Sequence, residues 1–242
     1  MEVMSWSAPF SFGQQAGRRD GMRKAFAVFL CVAFGFAGVS DVKAQSKKKG
    51  KEIPTQICER GKLIFEDDFS GKEILWLFND ASPWKLAGGK LVSKQTSTEH
   101  NKQAYLHRKI ESSSGIVVQF LVPPEEKIAY ITVVALGGGV PQYRGKVDLR
   151  NQICEIQLWG KEKIESLSSK QLPATKLKVI PILYEATGGK FAVTVLGQTA
   201  IHDAGVPDMV LTDMRISFYA RSVPVLIALD DVKVWEALPK GK

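Results

Sequence analysis

Histidine and cysteine are scarce in this chain, three of each in 242 residues, and that scarcity removes whole classes of chemistry. His100, His107 and His202 show neither the H-x-H nor the H-x-x-x-H spacing that would bring two imidazoles to one metal. No metal centre and no other cofactor is expected. A G-x-S-x-G elbow is also missing, which argues against serine hydrolase chemistry. Gly137-Gly138-Gly139 runs into Val140-Pro141 and not into Lys-Ser or Lys-Thr, so it reads as a turn and not as a phosphate loop. Beyond the first 44 residues, no segment keeps apolar residues at i, i+3, i+4 and i+7 for three turns. A parallel α/β fold, whose crossovers need helices, is therefore disfavoured. The net charge of +8 is spread thinly along the chain, a poor footprint for nucleic acid, and no such partner is expected.

What is present begins with one apolar run. Arg23-Lys24 lead into residues 25–39, and Val42-Lys43-Ala44 precede Gln45. A basic start, an apolar centre and small residues at the −3 and −1 positions make a secretory signal peptide. The run falls short of the roughly 20 residues of a membrane span. Residues 1–44 are read as this signal, with 1–21, before Met22, as an over-called start. Arg18-Arg19 hints at twin-arginine export, but Asp20-Gly21-Met22 fits that signal poorly. The expected location is secreted or periplasmic, and cleavage lowers the net charge to +6.

Residues 45–61 are polar, basic and broken by Pro54, and read as a flexible linker. Lys47, Lys48, Lys49 and Lys51 form either a solvated tail or a contact with an anionic envelope surface, worth about 1 kcal/mol per basic residue. Cys31 leaves with the signal. Cys58 and Cys154 remain, an even count in an oxidising compartment. A disulfide between them would close a loop of about 96 residues and stabilise by several kcal/mol; two buried free thiols are the alternative.

From residue 62 to 237 the pattern is that of an all-β domain, with 238–242 as a tail. Short runs rich in Val, Ile, Tyr and Phe predict strands over 63–66, 84–86, 90–94, 104–109, 115–122, 128–136, 153–159, 177–186, 190–196, 199–202, 215–220 and 225–235. Gly88-Gly89 and Gly188-Gly189 mark two hairpins, because paired glycines supply the positive φ angles of tight turns. Short helical turns are expected near 73–78 and 208–213. In the last strand, Val225 and Leu229 are out of phase with Val232 and Val234, which predicts a bulge near Asp230-Asp231.

Three segments carry a resemblance. Leu63-Ile64-Phe65-Glu66-Asp67-Asp68-Phe69 resembles the opening strand of secreted concanavalin A-like domains. Trp84-Lys85-Leu86 with Gly89-Lys90-Leu91-Val92 resembles their W-x-(I/V)-x-x-G-x-L hairpin, and Leu229-Asp230-Asp231-Val232-Lys233-Val234-Trp235 their closing strand. The chain is most similar to planctomycete-type members of the concanavalin A-like lectin/glucanase superfamily, including 3-keto-disaccharide hydrolase domains. The resemblance implies an antiparallel jelly-roll β-sandwich with first and last strands adjacent. It fixes no reaction, since one fold hosts many activities. If the end strands pair, Asp67, Asp68, Asp230 and Asp231 come close, an oxygen set that suits Ca²⁺ or else serves only turns and basic neighbours.

The segment Ile153-Cys154-Glu155-Ile156-Gln157-Leu158-Trp159 alternates between two faces. Cys154, Ile156 and Leu158 read as core. Glu155, Gln157 and Trp159 align on the other face, a carboxylate, an amide and an indole, which is the mixture that binds sugar hydroxyls and apolar sugar faces. A strand with ordinary polar residues outward accounts for the same pattern. The segment resembles the E-(I/L/V)-D-x-x-E strand of family 16 glucanases, but Gln157 replaces the aspartate and no second glutamate follows in register. A retaining glycosidase needs two carboxyls about 5–5.5 Å apart, so that mechanism is disfavoured. It is also similar to the E-V-Q-(I/L) strand of the 3-keto-disaccharide hydrolase domains. Tyr105 and His107 share a strand face and line the same surface as Glu155 if their sheets coincide. Tyr143 and Arg144 read as loop residues within reach of a ligand.

Three functions stay open. One is a non-catalytic module that binds carbohydrate through Glu155, Gln157, Trp159, Tyr105 and Arg144. Another is a hydrolase or lyase for a modified disaccharide, with Glu155 and His107 as its catalytic pair. The third is a structural domain of the cell envelope that meets another protein.

Overall fold

The computed structural model describes residues 52–78, 83–99, 103–137, 141–160, 163–205 and 210–240. Residues 1–44, read above as a signal, the lysines at 47–51, His100 and residues 138–140 lie outside the described residues. In chain order the strands are β1 (Cys58–Asp67), β2 (Leu77–Phe78), β3 (Trp84–Leu86), β4 (Leu91–Gln95) and β5 (Ala104–Ser112). They continue as β6 (Ile116–Val122), β7 (Ile128–Leu136), β8 (Gln142–Asp148), β9 (Ile153–Trp159) and β10 (Ile164–Gln171). The last five are β11 (Ile180–Thr187), β12 (Lys190–Val195), β13 (Gln198–Asp203), β14 (Leu211–Ala220) and β15 (Val225–Pro239). There is no α-helix among the described residues.

All strand pairs are antiparallel and build two sheets. The first runs β13-β12-β11-β6-β15-β4-β3, with β1 also on β15; the second runs β10-β9-β8-β7-β14-β5-β2. Period-2 alternation sends one set of side chains from each sheet into a shared core. Val118, Phe120, Tyr184 and Val193 of the first sheet pack in one cluster with Ile131, Ile156, Ile216 and Phe218 of the second. Each such buried side chain contributes about 1.5–3 kcal/mol. This is the jelly-roll β-sandwich that the sequence implied, and its opening and closing strands are neighbours: Phe65 lies opposite Val234 and Asp67 opposite Val232.

The glycine hairpins form as expected. Gly88 and Gly89 have φ of 59° and 66°, Gly188 and Gly189 of 52° and 71°. The bulge in β15 is present too: Asp231 has φ 47°, and the register against β6 shifts between Asp230 and Lys233. Before the bulge β15 pairs with β4, and after it with β1.

Several expectations are corrected. β1 starts at Cys58 and β15 ends at Pro239, so the last linker residues and the first tail residues belong to the first sheet. No helical turn forms near 73–78, where β2 pairs with β5; of the turn expected at 208–213, residues 208–209 lie outside the described residues and 211–213 begin β14. β8 and β10 were not foreseen. β10 is an exposed edge strand, and its Glu, Ser, Lys and Gln side chains leave no apolar alternation to read.

The two cysteines are free thiols, which overturns the disulfide. Cys58 lies on the outer face of the first sheet, packed with Val117, Leu183, Trp235 and Ala237 under Ile53 and Ile57. Cys154 points into the core between the sheets. The first sheet therefore stands between them. The segment before β1 closes over that outer face as a strap. Ile53 N–H donates to Gln119 Oε1 (2.9 Å), and the N–H groups of Gln56 and Ile57 donate to the Glu185 carboxylate (3.0 and 3.1 Å). Lys240 Nζ holds the strap by donating to the Thr55 and Gln56 carbonyls.

Candidate functional site

With the outer face of the first sheet partly strapped, the candidate residues collect on the outer face of the second. Glu155, Gln157 and Trp159 do project there together from β9. Glu155 and Gln157 are 8% and 7% exposed, so they are components of a packed polar layer and not free outward groups. Trp159 is half-buried.

Register explains the layer. Lys146 is directly opposite Glu155, and Arg144 is directly opposite Gln157. Lys146 Nζ lies 2.7 Å from Glu155 Oε1, Gln157 Nε2 donates to the same oxygen (2.7 Å), and Ser166 Oγ donates to Oε2 (2.6 Å). Burial pushes the Glu155 carboxyl up; the bonds from Lys146 and Ser166, the Lys146 charge and the Gln157 bond outweigh it and hold the group below its ordinary value. Arg144 Nε donates to Gln157 Oε1 (2.9 Å), and its guanidinium lies 4.2 Å from the centre of the Trp159 ring. Burial draws the Arg144 pKa down against the opposing pull of Tyr219, Tyr130 and Glu155. Lys146 sits 4.9 Å over the Tyr130 ring, which stacks on Tyr219 at 4.4 Å.

The far side of the face belongs to β14 and β5. Arg215 is opposite His107, and Ser217 is opposite Tyr105. Arg215 lies 5.4 Å over the Tyr105 ring, and His107 Nε2 is 2.9 Å from Asp213 Oδ1.

Tyr105 and His107 thus share a face with Glu155, as the sequence proposed. They do not meet it. β8, β7 and β14 intervene, four strand spacings or about 19 Å. Glu155 and His107 cannot act on one bond as acid and base at that separation. Asp148, diagonal to Glu155 across the β8–β9 pair, has both carboxylate oxygens on Asn151 (2.8 Å each). His202 lies in β13 of the first sheet, beside Tyr143.

Arg144 is corrected from loop to strand: it sits in β8 and is 2% exposed. Sequence reasoning missed β8 and hence Lys146. The signal was there, since Arg144, Lys146 and Asp148 alternate with inward Tyr143, Gly145 and Val147. Glycine at 145 has a packing cause. A Cβ there would lie 3.0 Å from Tyr184 Cδ2 and 3.1 Å from Val193 Cβ. Tyr130, Tyr219 and Ser166 were also missed, because cross-strand register alone brings them to this face.

Three of the four candidate Ca²⁺ ligands, Asp67, Asp68 and Asp231, serve local structure. Asp67 accepts from Phe69 N–H (2.9 Å) and Trp76 Nε1 (3.0 Å), Asp68 accepts from Ser70 N–H (3.0 Å), and Asp231 lies 3.6 Å from Lys233 Nζ. Among the described residues no three His, Cys, Asp or Glu side chains converge as a metal ligand set. A pocket of about 520 Å³ lies elsewhere, between 124–126, Ile128, 149–150 and Arg221.

No family model matches the chain, and no curated protein matches it. Solved structures do. A protein of unknown function with a galectin-like fold from Bacillus subtilis aligns with TM-score 0.57 and 11% identity over 76% of this chain and 100% of that one. The Bacillus licheniformis β-glucanase aligns with TM-score 0.54 and 10% identity over 74% and 100%. A CBM2 module of the Lactobacillus casei BL23 phage J-1 evolved Dit aligns with TM-score 0.55 and 10% identity over 77% and 100%. Identities this low speak to architecture: the chain has the antiparallel jelly-roll β-sandwich of the galectin-like and glucanase-like folds.

Proposed function

We propose that this chain is an exported carbohydrate-binding module, without catalysis, whose ligand lies on the outer face of the second sheet. One observation carries the reading. A half-buried indole, Trp159, stands beside a layer of buried Glu155, Gln157 and Arg144 and half-buried Lys146, with the Tyr130–Tyr219 stack behind it. Aromatic surface next to fixed hydrogen-bonding groups is what a sugar, apolar on one face and hydroxylated at its rim, requires. Preset side chains lose little entropy when a ligand arrives. A β-glucanase and a carbohydrate-binding module among the proteins of similar fold agree with it.

Binding is favoured over hydrolysis on physical grounds. A general acid works best with a pKa near the working pH, whereas Glu155 is held low by its ion pair with Lys146. A second carboxylate free to act beside it was not found among the described residues. Export rests on the signal read at 1–44, with the Lys47–Lys51 tail as a further envelope contact.

The test is a glycan array followed by calorimetry on the hits. Wild-type binding that weakens at least about tenfold in Trp159→Ala, with the fold intact by circular dichroism, supports the reading. Absence of sugar binding beside specific capture of an envelope protein replaces it with the structural reading. Turnover of a 3-keto-glycoside that disappears in Glu155→Gln replaces it with the hydrolytic one.

A further inference from the structure

We infer that the saccharide is acidic, and that its carboxylate or sulfate is taken between Arg144 and Arg215; the inference rests on the binding face proposed above. Register places Gln157, Arg144, Val134, Arg215 and His107 directly opposite one another in a row across β9, β8, β7, β14 and β5. The two arginines flank Val134 at two strand spacings, about 9.6 Å along the row. The next row supplies Thr132 and Ser217, two neutral hydroxyl side chains that are themselves buried.

The charge on this face is unevenly satisfied. The carboxylates next to the row already accept bonds at both oxygens: Glu155 from Lys146, Gln157 and Ser166, and Asp213 from His107 and Thr212. Asp148 is taken by Asn151. The guanidinium groups are less completely satisfied, although Arg144 bonds to Gln157 and to the Tyr219 hydroxyl. Among the described residues, Arg144 Nη1 and Arg215 Nε are both buried without a hydrogen-bond partner, and Arg144 as a whole is 2% exposed. A buried cationic donor without an acceptor is costly, and an oxyanion removes that cost.

Both guanidinium planes are held by rings, Arg144 over Trp159 and Arg215 over Tyr105. Stacking fixes a plane while leaving its edge for planar recognition of a carboxylate or sulfate. Arg215, half-buried, makes the first contact, and the deeper Arg144 supplies the second donor. A neutral glucan leaves both donors as they are.

Calorimetry with an oligogalacturonate, a sulfated galactan oligosaccharide and a neutral laminarin oligosaccharide, each at low and high salt, tests this. At least one acidic ligand is expected to bind about tenfold or more tightly than the neutral one, which is 1.4 kcal/mol, with the gap narrowing in salt. Which of the two binds assigns carboxylate or sulfate. Arg215→Gln is expected to remove about tenfold of the acidic affinity and leave neutral binding unchanged. Neutral binding equal to or tighter than both acidic ligands overturns the acidic assignment and leaves the carbohydrate reading standing. Binding to no saccharide overturns both. Acidic affinity unchanged in Arg215→Gln and in Arg144→Lys, both folded by circular dichroism, overturns the arginine seat.

Discussion

Lys146 Nζ and Glu155 Oε1 are 2.7 Å apart, on directly opposed residues of β8 and β9, with side chains only 20% and 11% exposed. The pair is the hub of the polar layer, since Glu155 also receives Gln157 and Ser166. Its electrostatics give a definite pH signature. A carboxyl held below its ordinary value stabilises the fold above the unfolded pKa, about 4.3 for Glu. That stability is lost as pH falls through the lower folded value. Lys146→Met leaves the carboxylate without its cation and is expected to cost about 1–2 kcal/mol at neutral pH. Because the variant has less of this term to lose, its urea midpoint should fall less than wild type's between neutral pH and pH about 3. Parallel acid losses in the two proteins would contradict the assignment.

Gly145 faces the core in β8, where Tyr184 donates its hydroxyl to the Tyr143 carbonyl (2.8 Å). Gly145→Ala must displace the Tyr184 ring or the Val193 side chain. Overpacking of this kind is expected to cost about 1–3 kcal/mol, read as a lowered melting temperature.

Cys58 and Cys154 should resist alkylation in the native protein and react fully in guanidinium, which adds two labels by mass spectrometry to any that Cys31 carries. Burial is the first cause, raising both thiols; Glu185 raises Cys58 further. Non-reducing and reducing melting curves should coincide, since neither thiol reaches the other.

Glu185 is 0% exposed and fastens the strap through Gln56 N–H, Ile57 N–H and the Cys58 thiol. Glu185→Gln substitutes an amide donor where donors already point inward, at an expected cost of about 1–3 kcal/mol. Limited proteolysis should then cut near 52–57 well before the rest of the domain. An unchanged cleavage pattern would show that the strap is held otherwise.

Much of the fold was legible because it follows local rules. Ile153–Trp159 and Ile128–Leu136 declare themselves by β-branched and aromatic runs, and the two glycine pairs mark turns that need positive φ. The phase change in β15 even exposed the bulge at Asp230-Asp231. β8 was hidden because Arg144-Gly145-Lys146 looks like loop composition; its glycine answers to Tyr184, 39 residues further along the chain.

The site was less legible. The grouping Glu155, Gln157 and Trp159 needed only strand alternation, which is why β9 alone revealed it. Their partners needed register. Nothing local places Lys146 against Glu155, Arg144 against Trp159, or His107 four strands from the acid it was expected to serve.

By itself the sequence determined the strands, their inward and outward faces and the hairpin turns, because backbone sterics and apolar alternation act within a few residues. Tertiary structure decided which strands became neighbours, and so the fate of both thiols, the strap over the first sheet and the arginine row on the second. Pairing energies across a sheet are set by residues far apart in sequence, and a slip of one residue would have turned the whole polar layer to the other face.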